Sequence, residues 1–239
     1  MIPLRDDNPI TVRPILTIGL IAVNVLVFFY QISLGPQAGQ LFVYRFGAIP
    51  AVLFGIETLP PEARGVPPPL SLFTSMFLHG GLMHLAGNML YLWIFGNNIE
   101  EAMGRLRFTF FYFLCGVIAA MSHALTSAGS VVPMIGASGA ISGILGAYIL
   151  LYPHAQVLTL IPLGFFMRIM YIPAGWVLGL WFLLQLLSGG MAAGQKGGGV
   201  AFFAHIGGFV AGMALVGPFK RRSVRFFNPP HHHAWRFKA

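Results

Sequence analysis

Residues 131–151, VVPMIGASGAISGILGAYILL, decide how this chain is read. At their centre stands Gly136-Ala137-Ser138-Gly139, a serine among small residues where a loop containing Pro133 and Gly136 becomes an apolar helix. The pattern predicts a helix from Ser138 to Leu151 or Tyr152 that stops before Pro153, because the residue preceding a proline leaves the helical region. About 15 residues rise roughly 22 Å, whereas a bilayer core takes about 20 residues to cross. If this helix ends at one membrane face, Ser138 begins it below the other. The free N–H groups and positive dipole end there favour developing negative charge, which suits a nucleophile. Serines among small residues also occur in plain membrane-helix contacts, so the motif by itself leaves both readings open.

The composition sets the environment. The chain has 239 residues, 56% of them hydrophobic and only 8% charged, with several apolar runs long enough to span a membrane. This is the composition of one polytopic membrane domain rather than a soluble one. The single cysteine, Cys115, lies in an apolar run, which excludes a disulfide framework. The apolar run after the polar first 14 residues is too long for a signal-peptide core and reads as a retained first span.

Six spans are predicted, at about 15–34, 72–95, 107–126, 138–152, 174–188 and 200–217. Span 5 is opened by Pro173 and span 6 is closed by Gly217-Pro218. Residues 36–70 form a long loop whose first part, 41–55, is broken by Gly47 and Pro50 and suits the membrane interface. Residues 157–161 and 165–172, separated by Pro162-Leu163-Gly164, read as an interfacial hairpin, and 189–199 as a flexible glycine-rich loop. The organisation is therefore a cytoplasmic N-terminal tail (1–14), a six-helix domain (15–219) and a basic cytoplasmic C-terminal tail (220–239). Six spans bring both termini to one side. That side carries Arg5, Arg13, Arg105, Arg107, Arg168, Lys220, Arg221, Arg222, Arg225, Arg236 and Lys238, against Arg45, Arg64 and Lys196 on the other. Eleven to three makes the termini cytoplasmic, so the net charge of +8 follows the positive-inside rule rather than nucleic-acid binding.

Polar groups inside spans are functional candidates by default. His84, Asn88, Ser138 and His205 all fall in the outer half, with His84 and Asn88 12 to 16 residues into span 2. His84 and Asn88, spaced i, i+4, share a helix face, and both can donate to an oxyanion. His79 lies elsewhere around the helix and is read as structural, bonding the long loop. Gly139 and Gly143 on span 4 and Gly208 and Gly212 on span 6 are spaced for close helix approach, which would bring His205 to Ser138 as a general base. None of the six acids, Asp6, Asp7, Glu57, Glu62, Glu100 and Glu101, lies at the depth of His205, so the serine would work with histidine alone. No HExxH zinc motif and no intraspan aspartate is present.

Together these residues resemble a rhomboid intramembrane serine protease in its basic six-span form. The resemblance rests on GASG around Ser138, on His79, His84 and Asn88, on Gly96, Glu100 and Gly104 as GxxxExxxG, and on His205, Gly208 and Gly212 as HxxGxxxG. It implies cleavage of transmembrane substrates near their outer ends after a small residue, and a movable gate made by span 5 and the loop before span 6. Two departures stand out. The Trp-Arg pair frequent in the family's first loop is replaced by Tyr44-Arg45, and Ser142 stands where some relatives place an aromatic against the histidine.

The reading is thus an all-α integral membrane endopeptidase, a six-transmembrane-helix bundle with a short fourth helix carrying the nucleophile. Ser138 and His205 are the dyad; His84, Asn88 and the Ser138 backbone N–H form the oxyanion site. No cofactor or metal is expected. The partners are transmembrane protein substrates and the lipid bilayer, the location a bacterial plasma membrane with the site open to the outer side. The alternative is a catalytically silent relative that binds transmembrane helices; a transporter lacks support from repeats or intramembrane charge. Glu100 is expected to bond backbone N–H groups between Gly96 and Gly104. For Ser142 two roles stay open, holding the His205 ring or bonding a carbonyl one turn back. His231, His232 and His233 read as an inert tail.

Overall fold

The computed structural model describes residues 1–164, 166–192 and 201–228. The three tail histidines and Lys196 therefore lie outside the described residues. The chain opens with a strand, β1 (Ile2–Asp6), followed by α1 (Ile15–Ser33), α2 (Gly35–Phe46), α3 (Pro50–Leu53) and α4 (Pro68–Thr74). Next come α5 (Leu82–Tyr91), a π-helical turn (Leu92–Gly96), α6 (Asn97–Met103), α7 (Arg105–Thr126) and α8 (Ser138–Leu151). A hairpin of β2 (Gln156–Leu163) and β3 (Phe166–Pro173) leads to α9 (Ala174–Ala192) and α10 (Phe202–Phe219).

α1, α7, α9 and α10 are each long and apolar enough to cross a membrane. Much of their surface is the outward-facing apolar side chain that lipid requires, as at Leu26, Leu106, Trp176 and Leu187. α8 is apolar but only 14 residues long. Its bounds match the sequence expectation because loop geometry at Gly136 and Pro153 delimits both ends.

The second expected span is corrected. An apolar run starting at residue 72 does not form one helix, because a 3-10 turn (Ser75–Phe77) and the extended residues around Gly80-Gly81 break it. The span-length helix starts at Leu82 and continues through the π turn to Met103. His84 and Asn88 are therefore its third and seventh residues, nearer its N-terminal end than the sequence indicated. α10 passes through Pro218 to Phe219 rather than ending at Gly217-Pro218, and Pro173 closes β3 rather than opening α9.

α8 is the buried centre. Ile144, Leu145, Ala147, Tyr148 and Leu151 are almost wholly enclosed. The paired glycines explain how α10 comes so close: a Cβ on Gly208 would run into the carbonyl oxygen of Gly139, and one on Gly212 into that of Gly143. Cys115 and Ala119 of α7 close over Gly143 and Gly139 from the other side.

At the opposite end from Ser138, the segment read as a polar tail is anchored. β1 pairs antiparallel with β2, and β2 with β3, in one three-stranded sheet. Arg5 donates to the Tyr171 hydroxyl at 2.8 Å, the Tyr148 hydroxyl donates to Asp6 Oδ2 at 2.6 Å, and the Gln156 N–H donates to Asp7 Oδ1 at 2.7 Å. Burial pushes the Asp6 carboxyl up to about 7, against the lowering effect of the Tyr148 hydroxyl.

Glu100 also differs from expectation. Its carboxylate does not bond the loop after it but accepts from Leu16 N–H (3.1 Å), Thr17 N–H (2.8 Å) and Thr17 Oγ1 (2.8 Å). It thus supplies the anion that the first turn of α1 lacks. Glu101 takes the N–H and hydroxyl of Thr11, and Asn98 donates to the Asn8 carbonyl, so α6 fixes the whole approach to α1.

Candidate active site

Ser138 is the first residue of α8, and the loop before it is held in two places. Ala48 and Met134 exchange both backbone hydrogen bonds, and the Gly136 N–H donates to the Ser75 carbonyl at 2.9 Å. The 41–55 segment therefore abuts the serine loop. Arg45 locks the longer loop by donating to the Glu62 carbonyl at 3.0 and 2.8 Å. Gly136 adopts φ 121°, a conformation that favours glycine. A Cβ there would lie 2.8 Å from His84 Nε2 and 3.6 Å from Asn88 Nδ2, so the loop passes directly over both side chains.

His205 of α10 meets the serine. Its Nε2 lies 2.9 Å from Ser138 Oγ, the contact that the glycine-faced packing of α8 on α10 permits. Its Nδ1 lies 2.8 Å from Gln185 Oε1 of α9. The Trp181 ring, also on α9, sits 5.9 Å from the imidazole. Ser142 does not touch the ring; its hydroxyl donates 2.7 Å to the Ser138 carbonyl one turn back. Of the two roles open for Ser142, the structure selects the backbone one.

His84 and Asn88 share one face of α5 as their spacing requires. Asn88 is buried, with Nδ2 2.9 Å from His79 Nε2, while His84 is exposed, with Nδ1 accepting weakly from the Gly80 N–H at 3.4 Å. The ring of His79 therefore bonds Asn88 rather than the long loop. Its backbone is what holds a neighbour, exchanging hydrogen bonds with the Gln31 side chain of α1. All four expected site residues thus gather at one end of α8.

One residue escaped the sequence reading and the partner of another was misplaced. Gln185, in LWFLLQLL, is a polar side chain in mid-span, and that alone was the available signal. His79 was seen, but its bond to Asn88 depends on the broken helix that the apolar run conceals.

A hydroxyl facing a ring nitrogen at this distance can release its proton as its oxygen attacks a carbonyl. The backbone N–H of Ser138, at the first helical position, has no intrahelical acceptor and is free to meet the negative oxygen that results. No group of three or more metal-ligating side chains is found among the described residues.

The Rhomboid domain family matches residues 69–222 of this chain. Rhomboid protein 1, mitochondrial, of Saccharomyces cerevisiae is 28% identical over 187 residues, covering 72% of this chain and 51% of the relative. The human presenilin-associated rhomboid-like protein, mitochondrial, is 29% identical over 206 residues, 83% of this chain and 46% of the relative. Rhomboid protease GluP of Bacillus subtilis is 33% identical over 135 residues, 56% of this chain and 24% of that protein. The chain thus spans about half the length, or less, of these relatives. With its membrane-length helices and a family match over more than half of its residues, this chain is an integral membrane protein belonging to the rhomboid family.

Proposed function

We propose that this chain is an intramembrane serine endopeptidase that cleaves transmembrane protein substrates. The 2.9 Å approach of His205 Nε2 to Ser138 Oγ carries the reading. Ser138 Oγ attacks the scissile carbonyl while its proton passes to His205. The ring then gives that proton to the leaving amine, and water reverses the sequence to release the acyl group. His84, Asn88 and the Ser138 N–H hold the oxyanion; the passage of Gly136 over both side chains supports that assignment. Neither cofactor nor metal takes part.

In the same proposal the domain is a six-span bundle, residues 15–219, in which α8 is the short fourth span and the α5–α6 helix the second. Both termini are cytoplasmic and the site opens to the outer side of a bacterial plasma membrane. The cation bias supports this orientation, as does the sheet that joins β1 to the α8–α9 hairpin at the end away from Ser138. One matched relative carries "protease" in its name, which supports the activity.

Fluorophosphonate labelling and cleavage of a transmembrane peptide by the purified chain test the reading. Ser138→Ala is expected to abolish both while leaving the fold intact. Cleavage retained by that variant would overturn the enzymatic reading, and an unmodified chain that neither labels nor cleaves would favour a helix-binding relative.

A further inference from the structure

We infer that Gln185 is a positioning residue for the dyad: its side-chain oxygen holds Nδ1 of His205, so that α9 sets the tautomer and orientation of the base. The inference rests on the Ser138–His205 reading above.

A glutamine in the middle of an apolar span is costly unless its amide is paired, and the partner here is the ring nitrogen that faces away from Ser138, at 2.8 Å. The placement is built by a whole helix face. Trp181, Phe182, Gln185 and Gly189 line the side of α9 turned to α10. Phe182 stacks on Phe209 at 4.3 Å, Trp181 lies against both His205 and Phe209, and Gly189 lets Phe202 and Ile206 close in. Leu183, Leu184, Leu186 and Leu187 face outward. Among the described residues no other polar group competes for the ring, because Ser142 is turned to the backbone and the carboxylates Glu100 and Asp6 lie away from the dyad. The titratable groups facing His205 are His84 on α5 and His123 on α7, with no carboxylate among them.

An amide oxygen only accepts. Held by it, Nδ1 carries the proton and Nε2 keeps its lone pair toward the serine hydroxyl. When Nε2 takes the Ser138 proton, the amide oxygen also faces the imidazolium, though more weakly than a carboxylate would. The base is therefore assembled only while α9 is seated on α10. An outward swing of α9 that breaks this bond withdraws the aromatic neighbour and the hydrogen-bond acceptor together.

The test uses the purified full chain and a fluorophosphonate probe, with Ser138→Ala as the blank. Gln185→Leu keeps the bulk but removes the acceptor; Gln185→Glu keeps an acceptor. The Leu variant is expected to lose about tenfold or more in phosphonylation rate and in kcat, with KM little changed. The Glu variant is expected to retain the rate, with the acid limb of its pH profile moved to higher pH because a carboxylate favours the imidazolium. A Leu variant reacting at the wild-type rate would overturn the inference. So would parallel losses in both variants that track a fall in Tm, since those report packing. Should the Leu variant fail to fold, a Glu variant whose acid limb stays in place refutes the role alone. Labelling of Ser138→Ala at the wild-type rate would instead remove the dyad reading itself, whatever Gln185 does.

Discussion

Replacing Glu100 by glutamine separates support of the fold from chemistry. Glu100 is only 4% exposed and accepts three hydrogen bonds from Leu16 and Thr17 at the start of α1. Glutamine keeps the shape but loses the charge and turns one acceptor into a donor. If its oxygen serves Thr17, its NH2 group faces the Leu16 N–H, donor against donor. Hydrogen bonds to a charged group contribute about 1.5–3 kcal/mol, against about 1 kcal/mol for neutral ones. Adding the lost dipole interaction of about 0.3–1 kcal/mol gives an expected destabilisation of roughly 2–3 kcal/mol. At about 2–4 °C per kcal/mol for a chain of this size, Tm falls by roughly 5–10 °C. The effect belongs to the α1–α6 junction, remote from Ser138. The assay is thermal unfolding of purified protein in detergent beside fluorophosphonate labelling well below the transition. A large fall in labelling rate or kcat with Tm unchanged would refute the reasoning.

Two further outcomes follow from the geometry. Asp6 has its folded carboxyl raised to about 7 by burial, so its neutral form favours the folded state. Its contribution is whole below the ordinary carboxylate range and is lost as pH rises toward 7. Asp6→Asn should therefore flatten the decline of Tm between about pH 4 and pH 7, and parallel curves for the two proteins would contradict this. His84→Ala and Asn88→Ala should each lower kcat by about 10²–10³ without abolishing Ser138-dependent cleavage, and turnover of both at the wild-type rate would move the oxyanion site elsewhere.

The parts legible in the sequence were those written as local pattern. α8 could be bounded because a glycine loop and a proline punctuate it. The meeting of Ser138 with His205 could be expected because each helix carries a small residue every fourth position on the face it presents. What stayed hidden depends on partners distant in the chain. Glu100 reaches α1 because the π turn and α6 stack against it, and nothing local distinguishes that from a bond to its own loop. The break ahead of α5 was marked by Gly80-Gly81, but the apolar residues from 72 onward outweighed that signal in a hydropathy reading. β1 was missed because IPLRD is too short and too polar to declare a strand without β2 beside it.

The shortness of α8 makes sense once its two ends are compared. In a low-dielectric surrounding every orphan backbone group of a helix needs a partner from the protein. At the Leu151 end partners are supplied. The Tyr152 N–H bonds the Tyr148 carbonyl, the Phe227 N–H bonds that of Leu150, and Asn228 gives both its backbone and side-chain N–H to Leu151. The chain after α10 thus folds back to close α8 from below. At the Ser138 end, among the described residues, no backbone acceptor meets the N–H of Ser138 or Gly139. Closure at one end and open donors at the other give the helix a single polar terminus, the one faced by His205. An apolar helix long enough to cross would carry those donors out into water, where they would be hydrated and of little use to a developing oxyanion. On the proposed reading, the length of α8 is therefore itself a condition for chemistry at Ser138.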